Sequence, residues 1–371
     1  MKPGLNVVCL MGQSAVRAYV MGDDAVSRRE ATPEEIAKMK DAVREGMQAG
    51  AFGLSASRMP NHLGAKGEPM PGAVATDAEL IEVFSTLGEF DKGYIGFLGR
   101  QYVAHNDLDA EQEEDWQLTM RMARDTGKPV SHAMLHMYNS PDNWKKFLDR
   151  VDAEAGRGLE FYVQTSPWIS APFDFTLMGL SILFDDMPNW RRLFRLPVEE
   201  QYAGYRDPEV RKGLRFDAVE FPAPRFFHRR WDLVFVKQVQ LEKNRFMEGK
   251  SLAQVAEETG RDVFDLFLDV SLEEDMQTIF STLTVNGDPQ AVLEMMMHPK
   301  SLASLADGGA HLSAIAQTSY PSYILSHWVR EKQAITLEQA IDVLVTRPAA
   351  AFGLTERNGL KAGNFADIVI F

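Results

Sequence analysis

The carboxylate best placed for chemistry in this sequence is Asp307. A short apolar run, Leu302 to Ala306, ends on it, and Gly308 and Gly309 follow where the chain must turn before the helical pattern from Tyr323 to Val329. A strand ending in a carboxylate presents an acid/base group at the edge where an α/β barrel builds its chemistry. Glycines beside it allow a backbone approach that a Cβ would hinder. The same position suits an N-cap or a turn, and both readings stand. Other polar residues fall just beyond apolar strand patterns: Ser14 and Arg17, then Ser55 and Arg58, then Arg100. Arginines at such an edge suit bidentate pairing with a substrate carboxylate. Ser14, Ser55 and His311 suit hydrogen-bond donation, and His311 equally suits a helix cap.

The elements that must carry these residues read as strand alternating with helix. Leu5 to Met11 is a buried-strand pattern, and Thr32-Pro33-Glu34-Glu35 opens a helix with an N-cap, a first-turn proline and a capping-box Glu. Strands follow at Phe52 to Ser57, Tyr94 to Leu98, Pro129 to Leu135 and Leu159 to Gln164. Between them lie a helix capped by Thr76 with Glu79 in the box position, one from Asp109 to Thr126, and one opened by Ser140-Pro141. The long Pro- and Gly-bearing loop from Met59 to Ala75 is of a length that is usually functional. Such alternation means a parallel sheet, and this many units favours a closed barrel over an open sheet. The rhythm breaks over 166–250, which reads as an irregular insertion or lid. It resumes with Ser251 and its box partner Gln254, a helix from Asp262, a strand at Thr278 to Leu283, a helix from Asp288-Pro289, and a helix from Thr336 with Gln339 in the box position. A final strand is expected at Ala366 to Phe371.

Composition narrows the partners. With 371 residues, 45% of them hydrophobic, the chain can bury a large core. A net charge of −14 without a Lys/Arg block argues against nucleic acid and anionic membrane. The arginines and aromatics at Trp190 to Arg195 and Phe226 to Trp231 therefore read as lid packing. No apolar run is long enough to span a bilayer, and Leu5 to Met11 lacks the marks of a signal peptide. Cys9, the single cysteine, reads as a small buried hydrophobe and fits a reducing, cytoplasmic setting.

The stretch Asp307-Gly308-Gly309-Ala310-His311, with Ser319-Tyr320-Pro321-Ser322-Tyr323, His327-Trp328-Val329-Arg330, Leu337-Glu338-Gln339-Ala340 and Phe352-Gly353-Leu354, resembles the last barrel strand and C-terminal part of the N-acyl-D-amino-acid deacylases. These are the D-aminoacylase branch of the metal-dependent amidohydrolases. Val7 to Arg17, with Gly12-Gln13-Ser14-Ala15-Val16-Arg17, resembles the family's strand ending in Gly, a polar residue and a downstream Arg, and Phe52 to Arg58 its Gly-Phe-Ser-Thr strand. Pro71 to Thr76 resembles the loop that follows that strand. The similarity runs through almost the whole sequence.

The resemblance implies an α/β fold, a (β/α)8-type barrel over residues 1–353 with 166–250 as its lid, and strands of a truncated β-sandwich over 354–371. It implies hydrolysis of N-acylated D-amino acids or related amides at a zinc site. Asp307 would pass the attacking water's proton to the leaving amine, and Gly308 and Gly309 would lie against the substrate. Family members carry a His-X-His pair and a Cys upstream of the part matching residues 5–17. This sequence has no His-X-His, so a fragment or a truncated relative is expected. By register the family's Ser-His falls on Ala133-Met134, and a thioether does not suit a hard, water-activating zinc. His132 and His136 flank Met134 at the period of two and are, with Asp307, the candidate ligands. The alternative is a hydrogen-bonded barrel histidine and a residue at the mouth. Gln164 to Trp168 stands where the family has an aromatic-Pro-aromatic segment. Two other functions remain open: a non-catalytic scaffold or partner subunit, and another cyclic-amide hydrolase or deaminase reaction. Homo-oligomerisation is compatible with all three.

Overall fold

A computed structural model of the chain describes residues 7–59, 62–64, 67–100, 110–138, 140–169, 172–178, 183–184, 186–221, 226–306 and 317–370. Six parallel strands form the main sheet: β1 (Met11–Gly12), β2 (Leu54–Ser57), β3 (Ile95–Leu98), β4 (Val130–Ala133), β5 (Phe161–Thr165) and β9 (Ser301–Ala303), in the order β1-β2-β3-β4-β5-β9. The α/β character and parallel sheet are as expected. Among the described residues the sheet is open, with β1 and β9 at its edges.

Its two faces differ. Leu54, Ala56, Ile95, Phe97, Val130, Phe161 and Val163 meet Met39, Val43, Leu80, Val83, Trp116, Met120 and Leu148 from the surrounding helices in one buried cluster. The helix Pro33–Gln48 starts with the expected Thr32–Glu35 capping box and buries Met39, Val43 and Met47. On the other face Tyr94 and Leu302 pack with Ala351 and Phe352, the Phe352 ring stacking on Tyr94 at 4.3 Å.

Between β5 and β9 the chain builds a second body. Strands β6 (Pro172–Phe175), β7 (Val234–Gln238) and β8 (Ile279–Leu283) form an antiparallel sheet with β8 in the centre. The strand at 279–283, which reads in sequence as one more unit of the parallel rhythm, therefore pairs antiparallel. The stretch that shows no period supplies a separate core in which Phe184 stacks on Trp190 at 4.4 Å and Phe227 and Trp231 lie edge to face. Two of its interleaved arginines are engaged within the protein, Arg230 by the neighbouring Asp232 and Arg195 by the Gly67 carbonyl far along the chain. Capping boxes at Ser251/Gln254 and Thr336/Gln339 occur as read.

Three local expectations fail. Cys9 is exposed rather than buried: among the described residues of that apolar run only Met11 enters the ladder, followed there by Gly12. Residues 366–370 form no strand: Ile368, Val369 and Ile370 are exposed and pair with no described strand. Thr76 accepts the Glu79 N–H, but the Glu79 carboxylate turns away from the cap to Arg17 and Gln13. No helix among the described residues is long and apolar enough to cross a membrane.

Candidate functional site

The parallel strands all point their C-terminal ends at one edge, and the polar residues singled out in sequence cluster along it. At β1 and β2 the loop beginning at Pro71 folds back over the edge, and the Gly72 N–H donates to Ser14 Oγ at 2.9 Å. A Cβ on Gly72 would lie 2.9 Å from the Ser57 carbonyl oxygen, so glycine is what lets this loop close onto β2. Ser55 Oγ donates to the Met11 carbonyl at 3.5 Å, tying β2 to β1. Neither Ser14 nor Ser55 is fully buried.

The arginines are already paired. Arg17 is wholly buried: Nη1 pairs with Glu79, Nε donates to the Ala25 carbonyl and Nη2 to that of Arg29. It braces two helices and a loop, so its guanidinium is committed to these partners rather than presented at the strand edge. Arg58 Nη1 donates to Asp77 at 2.8 Å and to the buried Asp115 at 2.9 Å. Asp115 also accepts from the backbone N–H and Nε of Arg100. Arg58 and Arg100 thus share one buried carboxylate, which locks β2 and β3 to the helix Ala110–Thr126.

The two histidines part company. Strand alternation places Ser131 toward Gln164, whose Nε2 donates to Ser131 Oγ at 3.1 Å, and turns His132 to the helix side. There His132 lies among Phe97, Phe147 and Phe161, at 5.5, 6.0 and 5.6 Å between ring centroids. Thr119 Oγ1 commits its proton to the Asp115 carbonyl at 2.7 Å, so the 3.2 Å contact to His132 Nε2 has the imidazole N–H as donor. With Nε2 engaged by Thr119 and the ring packed among aromatics, His132 sits as a hydrogen-bonded histidine of the sheet's helix side. His136 lies past the strand end. Its backbone N–H donates to Asn286 Oδ1 and its ring meets Tyr138 edge-on. Burial pushes its imidazole down, with Asp288 and Asp142 acting in the opposite sense. Its buried Nδ1 has no partner among the described residues. No three His, Cys, Asp or Glu side chains converge to hold a metal among the described residues. The described donor set therefore does not fit zinc. Asp307, Gly308, Gly309 and His311 lie outside the described residues.

One residue that sequence reasoning passed over organises this edge. Asn286 is fully buried at φ +58°, a left-handed conformation that Asn tolerates. It exchanges hydrogen bonds with the His136 backbone, and its Nδ2 donates to the Ser166 and Trp168 carbonyls at 3.1 and 3.0 Å. It thereby joins the loops after β4, β5 and β8. Its signal was the Asn286-Gly287 pair, a turn dipeptide directly after a strand. The end of β5 and the residue after it hold Leu305 and Gln317: the Leu305 N–H donates to the Thr165 carbonyl, and Ser166 Oγ donates to Gln317.

No family model matches the chain. It is 24% identical over 373 residues to a D-aminoacylase of Alcaligenes xylosoxydans xylosoxydans, across 99% of this chain and 60% of that protein. An N-acyl-D-aspartate deacylase of the same organism is 24% identical over 371 residues, again across 99% of this chain and 59% of its own length. In structure the chain is similar to N-acyl-D-glutamate deacylase from Bordetella bronchiseptica complexed with zinc and a phosphonate inhibitor. The TM-score is 0.59 at 20% identity, covering 99% of this chain and 62% of that one. The chain is thus similar over almost its whole length to D-aminoacylases and related N-acyl-D-amino-acid deacylases. It spans about 60% of the length of the curated relatives it matches. The β4 histidine of this chain, His132, serves as a core residue.

That use has a consequence for acid stability. Burial pushes His132 down to about 3 and, chiefly by the same cause, His228 down to about 4, from an ordinary value of 6.5. Below about pH 6.5 the unfolded chain binds protons that the folded chain refuses, so stability is full above that pH and falls as pH drops toward 4. His132→Phe keeps a flat ring in the aromatic box and leaves Thr119 its acceptor on Asp115. It is expected to remove up to about 1.4 kcal/mol per pH unit from the acid slope. Urea midpoints at neutral and acid pH measure this, and an unchanged slope in the variant would contradict the assignment.

Proposed function

We propose that the chain supplies the amidohydrolase part of a D-aminoacylase-type deacylase, hydrolysing the amide of an N-acylated D-amino acid or a related amide. The observation that carries this is similarity over 99% of the chain to a D-aminoacylase. The parallel sheet, with its polar C-terminal edge, is consistent with the closed barrel proposed for residues 1–353. We further propose that the body between β5 and β9, including 166–250, covers the mouth, and that 354–371 belongs to a β-sandwich.

Within this reading Asp307 is the proton-transfer group. Leu305 and Gln317, to either side of it in sequence, are tied to Thr165 at the end of β5 and to Ser166 just after it. Ser14 and Ser55, at the same edge and only partly buried, are available for substrate hydrogen bonds, and Gly308, Gly309 and His311 are assigned to substrate contact on the family motif alone. Relatives in complex with zinc support zinc as the family's metal. The described residues of this chain do not offer its ligand set, so no step is derived through it.

Asp307→Asn is the test. It is expected to abolish hydrolysis of N-acetyl-D-amino acids while leaving the far-ultraviolet circular dichroism and melting temperature unchanged. Undiminished turnover would refute the role. A second reading, a non-catalytic relative acting as scaffold or partner subunit, is favoured by one observation: His132 is boxed in by aromatics and no described trio of donors converges. Zinc analysis of the same preparations separates the two. About one equivalent with turnover supports the enzyme, and folded, metal-free, inactive protein supports the scaffold.

A further inference from the structure

We infer that Tyr138 contacts the substrate, its hydroxyl donating to the acyl carbonyl oxygen of the bound amide. The role rests on the deacylase reading and adds to it a donor that stands on geometry alone. Tyr138 lies beyond the C-terminal end of β4, the edge at which a parallel α/β sheet places its ligands. Its backbone neighbours are fixed there: Met137 bridges to Val285 and to Ser140, and His136 exchanges hydrogen bonds with Asn286.

Three segments hold the ring. His136, on the same loop, meets it edge-on at 6.2 Å between centroids, and His228 of the second body does so at 5.7 Å. The loop after β8 closes the slot with Gly287, where a Cβ would come within 3.0 Å of Cζ and Oη of the phenol. Tyr138 therefore stands at the junction of the main sheet with the body proposed to cover its mouth. Its hydroxyl makes no hydrogen bond among the described residues and, unlike the hydroxyls of Tyr94 and Tyr205, is not buried. The polar groups around it are committed. His228 Nδ1 accepts the Arg230 N–H, which leaves its Nε2–H to donate to Thr282 Oγ1 at 3.2 Å. Asn286 spends its carboxamide on His136, Ser166 and Trp168.

A phenol clamped by its ring with its polar tip free is a pre-organised donor, and little side-chain freedom remains to be lost when an acceptor arrives. The choice of acceptor follows from charge. Arg230, which lies within electrostatic range of Tyr138, is paired with Asp232 at 2.6 Å, and Lys145 is paired with Asp142 at 3.0 Å. Asp288, which acts on the adjacent His136 imidazole, adds a negative charge. A substrate carboxylate is therefore disfavoured at this hydroxyl. The neutral acyl carbonyl suits an uncharged donor, and its oxygen gains negative charge as water adds, so the bond strengthens toward the transition state.

Steady-state kinetics with N-acetyl-D-leucine test this in Tyr138→Phe, Gly287→Ala and the double variant. Tyr138→Phe keeps the clamped ring and is expected to lower kcat by about tenfold or more, with KM changed by less than about twofold and the melting temperature unchanged. Gly287→Ala retains the hydroxyl but displaces it, since the clash is with the tip of a side chain that can swing, and is expected to lower kcat in the same way. The double variant is expected to be no slower than Tyr138→Phe, because both changes remove one bond. An active parent with kcat undiminished in Tyr138→Phe, or a double variant slower by the product of the two single losses, overturns the role of Tyr138 and leaves the deacylase reading standing. A folded parent that hydrolyses no N-acyl-D-amino acid overturns that reading and this role with it.

Discussion

Glu79→Ala is expected to destabilise the chain by about 3 to 5 kcal/mol, the range for removing one partner of a buried ion pair. Glu79 is 1% exposed and Arg17 is not exposed at all. Burial pushes the Glu79 carboxyl up, while the Arg17 guanidinium beside it acts in the opposite sense. Its removal would leave the Arg17 charge in the core with only the Ala25 and Arg29 carbonyls for company, and would orphan Gln13 Nε2, which donates to Glu79 Oε1 at 3.0 Å. The cost arises from the charge left behind more than from the bond lost. Replacing both partners with apolar residues of similar volume, Arg17→Met with Glu79→Leu, is therefore expected to recover most of it. Urea unfolding of the two variants measures the contrast through midpoints at constant slope. A Glu79→Ala midpoint equal to that of the parent would show that the pair carries no net interaction.

This pair also marks the limit of what the sequence could disclose. Local rules read well because they act within a few residues: the boxes at Thr32, Ser251 and Thr336, the helix starts at Asp262 and Asp288, and all four interior strands from Phe52 to Gln164 stand where the pattern placed them. What failed depended on partners far along the chain. Arg17 looks like a clamp at a strand end until Glu79, distant in sequence, takes its guanidinium. The strand at 279–283 has the same apolar pattern whether its neighbours run parallel or antiparallel, and only its pairing with β6 and β7 decides. His132 and His136 were assigned to one face by counting twos. His136 lies beyond the end of β4, where the period of two no longer holds, and its loop follows Asn286 instead. For the candidate site, Ser14, Ser55 and Arg58 were placed at the correct edge, but whether a polar group there is free or already paired is a tertiary fact.

Gly53→Ala is expected to be as severe, for a reason of geometry. Gly53 immediately precedes β2 at φ +146°, a conformation reserved in practice for glycine. A Cβ there would lie 1.9 Å from the Tyr94 carbonyl oxygen and 2.6 Å from the Tyr94 nitrogen. Both are backbone atoms that cannot swing aside as a side-chain tip can. The same carbonyl accepts the Leu54 N–H at 3.1 Å, the bond that starts the β2–β3 ladder. To relieve the clash β2 must withdraw from β3, which would open the register Leu54–Ile95 through Ser57–Leu98 and uncover the Phe352 ring stacked on Tyr94. Strain at a special backbone position combined with a broken ladder belongs to the class of changes costing about 4 kcal/mol or more. Gly127→Ala provides the comparison, since that glycine also has positive φ (+66°) but nothing within 4 Å of a Cβ. It is expected to cost only about 1 to 2 kcal/mol, the strain of the left-handed conformation alone. Melting temperatures of the two variants, or the soluble yield of the first if it does not fold, decide the matter. Equal destabilisation would mean that the close approach of β2 to Tyr94 is not what glycine is needed for.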